Sequence, residues 1–391
     1  MTATRVSDRT GEDELLRWRE EFPILASSVY LINNSLGAMP RGVYDSLHGY
    51  ADRWGEDGVV AWNTWLPLVS QVGDLVGSLF GAPAGTVMMG QNVTNFVAQI
   101  ASALDYGGQR NRIVLSDLEF PTVHYLWQAQ ERFGARIELV PGDDAVHLPL
   151  ERLLAAIDER TLLVSLSQVI YRSSHLVDAA AVIKRAHEAG AMVLLDSYQA
   201  VGCVPIDVVA LDADFLVGGS VKWLCGGPGA GFLYVRPDLA QRLEPSYAGW
   251  FSHKRPFAFE QPPIEYGEGI SRFMGGTPGV PALYSAKVGY EIISQVGVDR
   301  IRAKSRRQTA QIVERAQELG LSVRSPLEPE QRGGHVTVAF EGDEAVSKEL
   351  IRRRFIIDYR PGSGIRIAPH FYNTDEECDA ILNEIQAIRR A

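Results

Sequence analysis

Short apolar segments alternate with helical patterns through the middle of the chain, and this alternation limits the folds that the sequence can adopt. Helical patterns such as Asp178–Ala189 fit between the apolar segments. Buried strands joined through helices favour a mostly parallel sheet covered on both faces, in which ligands bind beyond the carboxyl ends of the strands. The segments predicted as strands are Arg112–Ser116, Ala135–Val140, Thr161–Leu166, Ala191–Leu195, Phe215–Val217 and Gly231–Val235.

The chain from residue 249 onward shows a different pattern. Residues 249–281 are rich in aromatic residues, Pro and Gly, with little periodicity, and they precede a helical pattern over Ala282–Leu319. We therefore predict a large α/β domain over residues 36–285, a small α+β domain over 286–391, and an N-terminal arm (1–35) that packs on the small domain. The small domain is predicted to contain strands at Val323–Arg324, His335–Phe340 and Gly364–Ala368, and helices at Asp343–Arg353 and Thr374–Arg390.

Composition narrows the classes of partner. The chain has 391 residues and a net charge of −10, which argues against nucleic acid or an anionic membrane as the main partner. Cys203, Cys225 and Cys378 have no metal-ligand spacing and cannot all pair, so we expect no metal and a reducing compartment. The stretch Met1–Glu21 has no secretory signal, and no segment is apolar enough to span a bilayer. We expect a cytoplasmic protein that acts on a small molecule.

A lysine and an aspartate stand at the ends of two predicted strands. Asp196 ends the run Val193–Asp196, and Lys222 follows Phe215–Val217 just before a glycine-rich turn. A parallel sheet would bring both side chains to one edge, as in a pyridoxal phosphate (PLP) site. There the lysine carries the cofactor as a Schiff base, and the aspartate keeps the ring nitrogen protonated. Taken alone, Lys222 is more readily interpreted as a surface lysine whose stem packs beside the turn.

Other residues fit the remaining needs of such a site. Backbone N–H groups at Val93 and the hydroxyl of Thr94 stand where a predicted helix begins, which suits a phosphate, although a plain helix cap is the alternative. The Ser220 hydroxyl could reach the same phosphate. Phe120, just past a strand end, could stack on the cofactor ring, although a single phenylalanine is more often part of a core. Gln199 could donate a hydrogen bond to the phenolic oxygen of the ring.

An arginine near the C-terminus is a candidate for substrate binding. Arg366 alternates with Ile365 and Ile367 in a predicted strand, so its side chain would point inward. A buried guanidinium needs an anion, and its planar shape suits the carboxylate of an amino acid. The alternative is a structural ion pair within the protein.

The order of these motifs resembles class V of the fold-type I (aspartate aminotransferase-like) PLP enzymes, a group that includes kynureninases and cysteine desulfurases. The resemblance implies an α/β fold with PLP bound covalently to Lys222, in a homodimer whose active site lies at the subunit interface. It also implies that Trp250 and Thr277 reach the phosphate, that Arg366 binds the substrate α-carboxylate, and that Asn34 and Ser35 contact the substrate. The motifs run from Tyr30–Gly37 to Ile365–Asp375 and include Phe120–Thr122, Ser220–Lys222, Gly226–Gly229, Gly249–Phe251 and Arg272–Pro278.

Three positions depart from the kynureninase pattern. Val123, Gln199 and Val221 stand where that pattern has Asp, His and Tyr. Valine can neither donate nor accept a hydrogen bond, and hydration of a γ-carbonyl needs acid–base groups, so kynurenine hydrolysis is disfavoured. Persulfide transfer by a desulfurase is disfavoured as well, because the loop Arg360–Gly364 has no cysteine and Cys378 falls in a predicted helix.

The remaining chemistry is that which Lys222 and the cofactor can perform together. We expect a lyase that cleaves a Cβ bond of an L-amino acid, in particular the C–S bond of a cysteine S-conjugate, in bacterial secondary metabolism. The alternatives are an aminotransferase, an epimerase, a decarboxylating enzyme or an oxidative deaminase. A PLP-fold protein reduced to a binding or regulatory subunit is a further alternative, against which the presence of Lys222, Asp196 and Arg366 together argues.

Overall fold

The computed structural model describes residues 13–390. In chain order its strands are β1 (Val29–Tyr30), β2 (Val87–Gly90), β3 (Arg112–Ser116), β4 (Arg136–Val140), β5 (Thr161–Ser167), β6 (Met192–Asp196), β7 (Phe215–Gly219), β8 (Gly231–Val235), β9 (Ser322–Val323), β10 (Val336–Ala339), β11 (Phe355–Ile356), β12 (Asp358–Arg360) and β13 (Gly364–Ile367). Its α-helices are α1 (Val43–Asp57), α2 (Trp62–Ser78), α3 (Val93–Ser102), α4 (Pro121–Gln128), α5 (Leu150–Ala155), α6 (Ala179–Glu188), α7 (Pro237–Arg242), α8 (Val280–Val296), α9 (Val298–Glu318), α10 (Asp343–Arg352) and α11 (Asp375–Arg390). Short 3-10 helices lie at Glu14–Glu21, Pro23–Ala26, Gly58–Ala61, Ala129–Phe133, Trp250–Ser252, Pro256–Ala258, Gly269–Phe273 and Pro329–Gln331.

The large sheet has the strand order β2-β8-β7-β6-β5-β3-β4. Neighbours from β7 to β4 pair in parallel, and β8 runs antiparallel to both β7 and β2. The predicted α/β fold with a mostly parallel sheet is therefore confirmed. Every residue of β7 and β8 is buried, which explains why these strands read as continuous apolar runs.

Helix α6 shows how sequence sets the elements around this sheet. The carboxylate of Asp178 accepts a hydrogen bond from the backbone N–H of Ala181 at 3.0 Å and caps the helix start. Ala179, Val182, Ile183 and Ala186 then face the sheet and are buried.

The prediction of a single helix over Ala282–Leu319 is wrong. Helix α8 ends at Val296 and α9 begins at Val298, with Gly297 between them at φ 87°. A residue at this φ lies outside the helical region, so the run of helical hydrogen bonds stops there. The apolar periodicity continues on both sides of the break, which is why the pattern reads as one helix.

A second sheet, with the order β12-β13-β10-β9, is antiparallel and packs its own apolar core against α9 and α11. Strand β1 pairs in parallel with β11, so the described part of the N-terminal segment lies against the C-terminal region. Residues 1–12 of the predicted arm lie outside the described residues, and the boundaries at 35 and 285 stay predictions. Within residues 13–390 no helix is long and apolar enough to cross a membrane.

Candidate active site

A cavity of about 210 Å³ opens beyond the carboxyl ends of β3, β5, β6 and β7. This is the edge at which a parallel sheet binds ligands. The structure brings six of the predicted site residues together here: Val93, Thr94, Phe120, Asp196, Gln199 and Lys222. The other lining residues are Asn92, Thr122, Val123, Ser167, Val169, Tyr171 and Tyr198.

Lys222 lies three residues past the end of β7 and lines the cavity. The pKa of its amine is lowered to about 7, chiefly by burial; the negative charge of Asp196 opposes the shift, and the positive charge of Arg366 contributes to it. A lysine with its usual pKa would be almost entirely protonated at neutral pH. The environment therefore supplies a neutral, nucleophilic amine at the cavity.

Asp196 is the last residue of β6 and lies near Lys222. Burial raises the pKa of its carboxyl, although a backbone hydrogen bond from Tyr198 at 2.9 Å and the charge of Lys222 favour the ionised form. A cation placed directly against this carboxyl would lower its pKa again. A protonated ring nitrogen is a cation of that kind.

Helix α3 points its first turn at the cavity. Its N-cap residue, Asn92, accepts a hydrogen bond from the N–H of Asn95 at 3.0 Å, whereas the N–H groups of Val93 and Thr94 have no acceptor within the helix. Gly231 permits this placement, because a Cβ there would lie 2.9 Å from the Cα of Asn92. The helix start thus offers backbone donors to an anion at one end of the cavity.

Two aromatic rings lie near the Lys222 amine. Its Nζ atom is 6.0 Å from the ring centroid of Phe120 and 4.3 Å from that of Tyr198. Tyr171 packs edge-on against Phe120, with the centroids 5.1 Å apart. Sequence reasoning found Phe120 but missed Tyr198, although its position two residues past Asp196 at the same strand end was a usable signal.

Gln199 is buried and its amide is already engaged. Its Nε2 donates to the backbone carbonyl of Asn34 at 2.9 Å, and its Oε1 accepts from the indole of Trp223 at 3.0 Å. One amide hydrogen is left for a ligand. Gln199 therefore lines the cavity and also links the N-terminal segment to this part of the large sheet through its hydrogen bond to Asn34.

Arg366 is buried on β13 and is held by protein groups. Its Nε donates to Asp358 at 2.8 Å, its Nη2 donates to the second oxygen of the same carboxylate, and its Nη1 donates to the backbone carbonyl of Tyr171 at 2.7 Å. With its amide oriented to accept, the Asn34 side chain lies 3.0 Å from Nε and 3.2 Å from Nη1. Ser35 is half-buried, and its N–H bonds to Ile32. The structural ion pair thus exists. Arg366, Asn34 and Ser35 are not among the residues that line the cavity, so their contact with a substrate carboxylate stays a prediction.

Three predicted phosphate ligands do not line this cavity in the single chain. The Ser220 hydroxyl is buried and bonds to the Ala230 carbonyl at 2.6 Å and to the Tyr290 hydroxyl. Thr277 lines a separate crevice of about 980 Å³ that also includes Asn95 and Gln99. Trp250 is 39% exposed and stacks on Phe259.

Comparison with known proteins agrees with this geometry. The profile of the aminotransferase class V family matches residues 65–380. The chain is 30% identical to an uncharacterised aminotransferase of Bacillus subtilis, over 95% of this chain and 97% of that protein. It is also 30% identical to a kynureninase of Pseudomonas fluorescens, over 96% and 93% of the two chains. The chain therefore belongs to the class V aminotransferases, a family of PLP-dependent enzymes, and the predicted family and cofactor are confirmed.

Solved structures agree on the fold. A cysteine desulfurase of Thermococcus onnurineus superposes with a TM-score of 0.85 at 20% identity, covering 99% of each chain. The cystine C–S lyase C-DES superposes with a TM-score of 0.83 at 22% identity, covering 93% of this chain and 98% of that one.

The described residues fit the cofactor that the family uses. Lys222 would hold its carbonyl carbon, Asp196 its ring nitrogen, and the start of α3 its phosphate, while Phe120 and Tyr198 would supply aromatic contacts near the lysine. The lowered pKa of the lysine and the raised pKa of the aspartate are both shifts that this cofactor would use or relieve.

Proposed function

We propose that the chain is a PLP-dependent lyase that cleaves a Cβ bond of an L-amino acid, in particular the C–S bond of a cysteine S-conjugate. The observation that carries the proposal is the Lys222 amine, whose pKa is about 7, in a cavity where Val123 and Val169 add only apolar surface. A lysine of this kind can take and return a proton at Cα. β-Elimination needs no further acid–base group at the γ-position.

The residues have separate tasks in this reaction. The bound cofactor supplies an electron sink that stabilises negative charge at Cα. Asp196 keeps the ring nitrogen protonated, and Arg366 with Asn34 orients the substrate carboxylate. Lys222 removes the Cα proton, the C–S bond breaks, and its electron pair leaves on the sulfur as a thiolate. Hydrolysis by water then releases the remaining skeleton as pyruvate and ammonia.

The relatives' other reactions are less well supported by these residues. The kynureninase pattern has polar groups where Val123 and Val221 stand, and Val123 lines the cavity. A persulfide acceptor needs an accessible thiol, whereas Cys203, Cys225 and Cys378 are all buried and burial raises the pKa of each thiol. Among the reactions of these relatives, C–S elimination matches the cavity best.

Transamination or epimerisation is the second candidate. It needs the same Lys222 proton transfer and no leaving group at Cβ, and one relative at 30% identity carries an aminotransferase name. Holoenzyme incubated with S-substituted cysteines, kynurenine and alanine separates the candidates by mass spectrometry of the products. Pyruvate, ammonia and thiol from an S-substituted cysteine support the lyase. Conversion of the cofactor to its amine form, without thiol release, contradicts it.

We also propose a homodimer in which Trp250 and Thr277 reach the cofactor phosphate of the partner subunit. The support is the crevice beside the start of α3, which Thr277 lines, together with the exposed Val59, which lines a neighbouring crevice with Pro278, and the exposed Phe257, which packs on Trp250. Mixing inactive Lys222→Ala and Thr277→Ala subunits should restore about a quarter of the activity, because random exchange leaves one intact site in half of the dimers. No recovery despite subunit exchange contradicts the shared site. A cytoplasmic location and a role in secondary metabolism stay predictions.

A further inference from the structure

Glu119 is a buried carboxyl that the proposed reaction does not use. It lies in the turn between β3 and α4, next to Phe120, and only 3% of its surface is exposed. Its Oε1 accepts from the backbone N–H of Ser167 at 3.0 Å, and its Oε2 contacts the Ser167 hydroxyl. One side chain therefore ties the turn that carries Phe120 to the end of β5.

Ser167 connects this carboxyl to the cofactor end of the site. It lines the cavity and pairs directly with Asp196 across β5 and β6. Glu119 and Asp196 are close enough for the charge of one carboxyl to affect the other. Two carboxyls thus stand at one sheet edge, the buried Glu119 and the half-buried Asp196, and of the two only Asp196 lines the cavity.

The other ionisable groups around Glu119 do not neutralise it. His124 on α4 faces its backbone carbonyl, and burial lowers the pKa of that imidazole, so it adds no positive charge at neutral pH. Asp117, in the same turn, is occupied as an acceptor for the N–H of Gly142 at 2.8 Å. Lys222 pairs electrostatically with Asp196.

We propose that Glu119 is a positioning residue for the cofactor ring: it holds Phe120 in place through Ser167, and its charge controls how strongly the Asp196 end of the site binds a cationic ring nitrogen. The proposal rests on the cofactor site and not on which reaction the enzyme performs.

The direction of the effect follows from the pKa of Glu119. Burial, with the charge of Asp196 adding to it, raises this pKa to about 8, so Glu119 is neutral at pH 7 and becomes negative above about pH 8. A cationic ring nitrogen at Asp196 favours the negative form of Glu119. By linkage, ionised Glu119 must strengthen binding of the cation by the same factor. Binding should therefore tighten as the pH rises through the pKa of Glu119.

The test uses pyridoxine 5′-phosphate, which has no aldehyde, and the Lys222→Ala background, so that neither bond formation nor lysine titration contributes. The dissociation constant is measured calorimetrically from pH 6.5 to 9 for Lys222→Ala and for Lys222→Ala/Glu119→Gln. Glutamine preserves an oxygen acceptor for Ser167 but cannot ionise. Ionisations of the probe itself cancel in the ratio of the two constants.

We expect a ratio near one at pH 6.5 and weaker binding by the Gln variant, by about fivefold or more, at pH 9. A ratio that does not change with pH overturns the proposal. Absence of binding to either variant overturns the cofactor site and the proposal with it. Binding with a rising ratio, together with a failed C–S elimination assay, leaves Glu119 supported and removes only the proposed reaction.

A second variant covers the case in which the Gln protein does not fold. Ser167→Ala removes the hydroxyl contact that lowers the pKa of Glu119. In the Lys222→Ala background it should move the pH-dependent tightening to higher pH. An unchanged midpoint contradicts the role of the Glu119–Ser167 contact.

Discussion

At the end of the site built by the large sheet, Asp196 and Lys222 face a cavity with shifted pKa values. On the C-terminal sheet, Arg366, the predicted ligand of the substrate carboxylate, is already paired with both oxygens of Asp358. Burial of Asp196 and Lys222 carries a desolvation penalty that a bound ligand can offset. For Arg366, the ion pair with Asp358 already offsets that penalty within the protein. We therefore expect cofactor binding to change the pKa values of the site residues far more than substrate binding does.

The largest expected effect comes from Lys222→Ala. It removes both the covalent attachment and the proton-transfer group, so turnover should fall on the order of 10³-fold or more, and the visible absorbance of the lysine-bound cofactor should disappear. Steady-state kinetics and absorbance spectra measure the two effects. Lys287→Ala, a surface lysine 3.6 Å from Glu291, is the matched control and should leave both unchanged. An unchanged spectrum in Lys222→Ala contradicts the assignment.

Breaking the Arg366–Asp358 ion pair should lower the stability of the fold. Asp358→Asn leaves the buried Arg366 with a neutral partner, which should lower the free energy of unfolding by about 3 kcal/mol. Denaturant titration measures this loss.

The variant Arg366→Lys keeps the positive charge but not the planar guanidinium, so it should raise KM with a smaller change in kcat, as steady-state kinetics would show. If Arg366→Lys changes kcat alone, Arg366 does not bind the substrate carboxylate.

The rate at which Lys222 captures the cofactor should depend on pH. Capture of PLP by the apoenzyme requires the neutral amine of Lys222, so the rate should rise about tenfold per pH unit below pH 7 and level off above it. Stopped-flow absorbance measures the rate. Asp196→Asn removes the negative charge that raises the pKa of Lys222, and the midpoint should move to lower pH. A midpoint that moves upward would show that Asp196 does not act on this amine.

The smallest effect concerns packing behind the cavity. A Cβ at Gly219 would lie 2.5 Å from the Tyr198 hydroxyl, so Gly219→Ala should lower the free energy of unfolding by about 1–3 kcal/mol. Tyr198→Ala should absorb much of that loss in the double variant, as thermal denaturation would show. Gly49→Ala, where a Cβ meets nothing within 4 Å, is the control and should not destabilise. Additive losses would mean that the two residues do not conflict.

The sequence could predict site residues that stand at the ends of local strands, but not the partners that distant segments bring to them. Asp196 and Lys222 were predictable because each follows a local apolar strand, and a parallel sheet brings such ends together. The partner of Arg366 was not predictable, since Asp358 reaches it through the register of two neighbouring strands. The engagement of Ser220 with Tyr290 depends on a contact between residues 70 positions apart.

Local features were missed where the pattern was short or unbroken. Strand β2 has only four residues and follows a turn, so it left no clear alternation. The break at Gly297 sits inside a continuous helical pattern. The contact of Glu119 with Ser167 was not predictable, because nothing in the sequence indicates which strand its carboxyl meets.

The Gln199–Asn34 hydrogen bond has a consequence for the order in which the site is assembled. Asn33 donates a hydrogen bond to Ala368, 335 positions away, and Asn34, which accepts from Gln199, also lies beside Arg366. Contacts between such distant segments form late, because the whole intervening chain must first be ordered. During synthesis, the cofactor edge of the large sheet is complete before Arg366 has been made. The growing chain therefore contains Asp196 and Lys222 well before it contains Arg366, the predicted ligand of the substrate carboxylate.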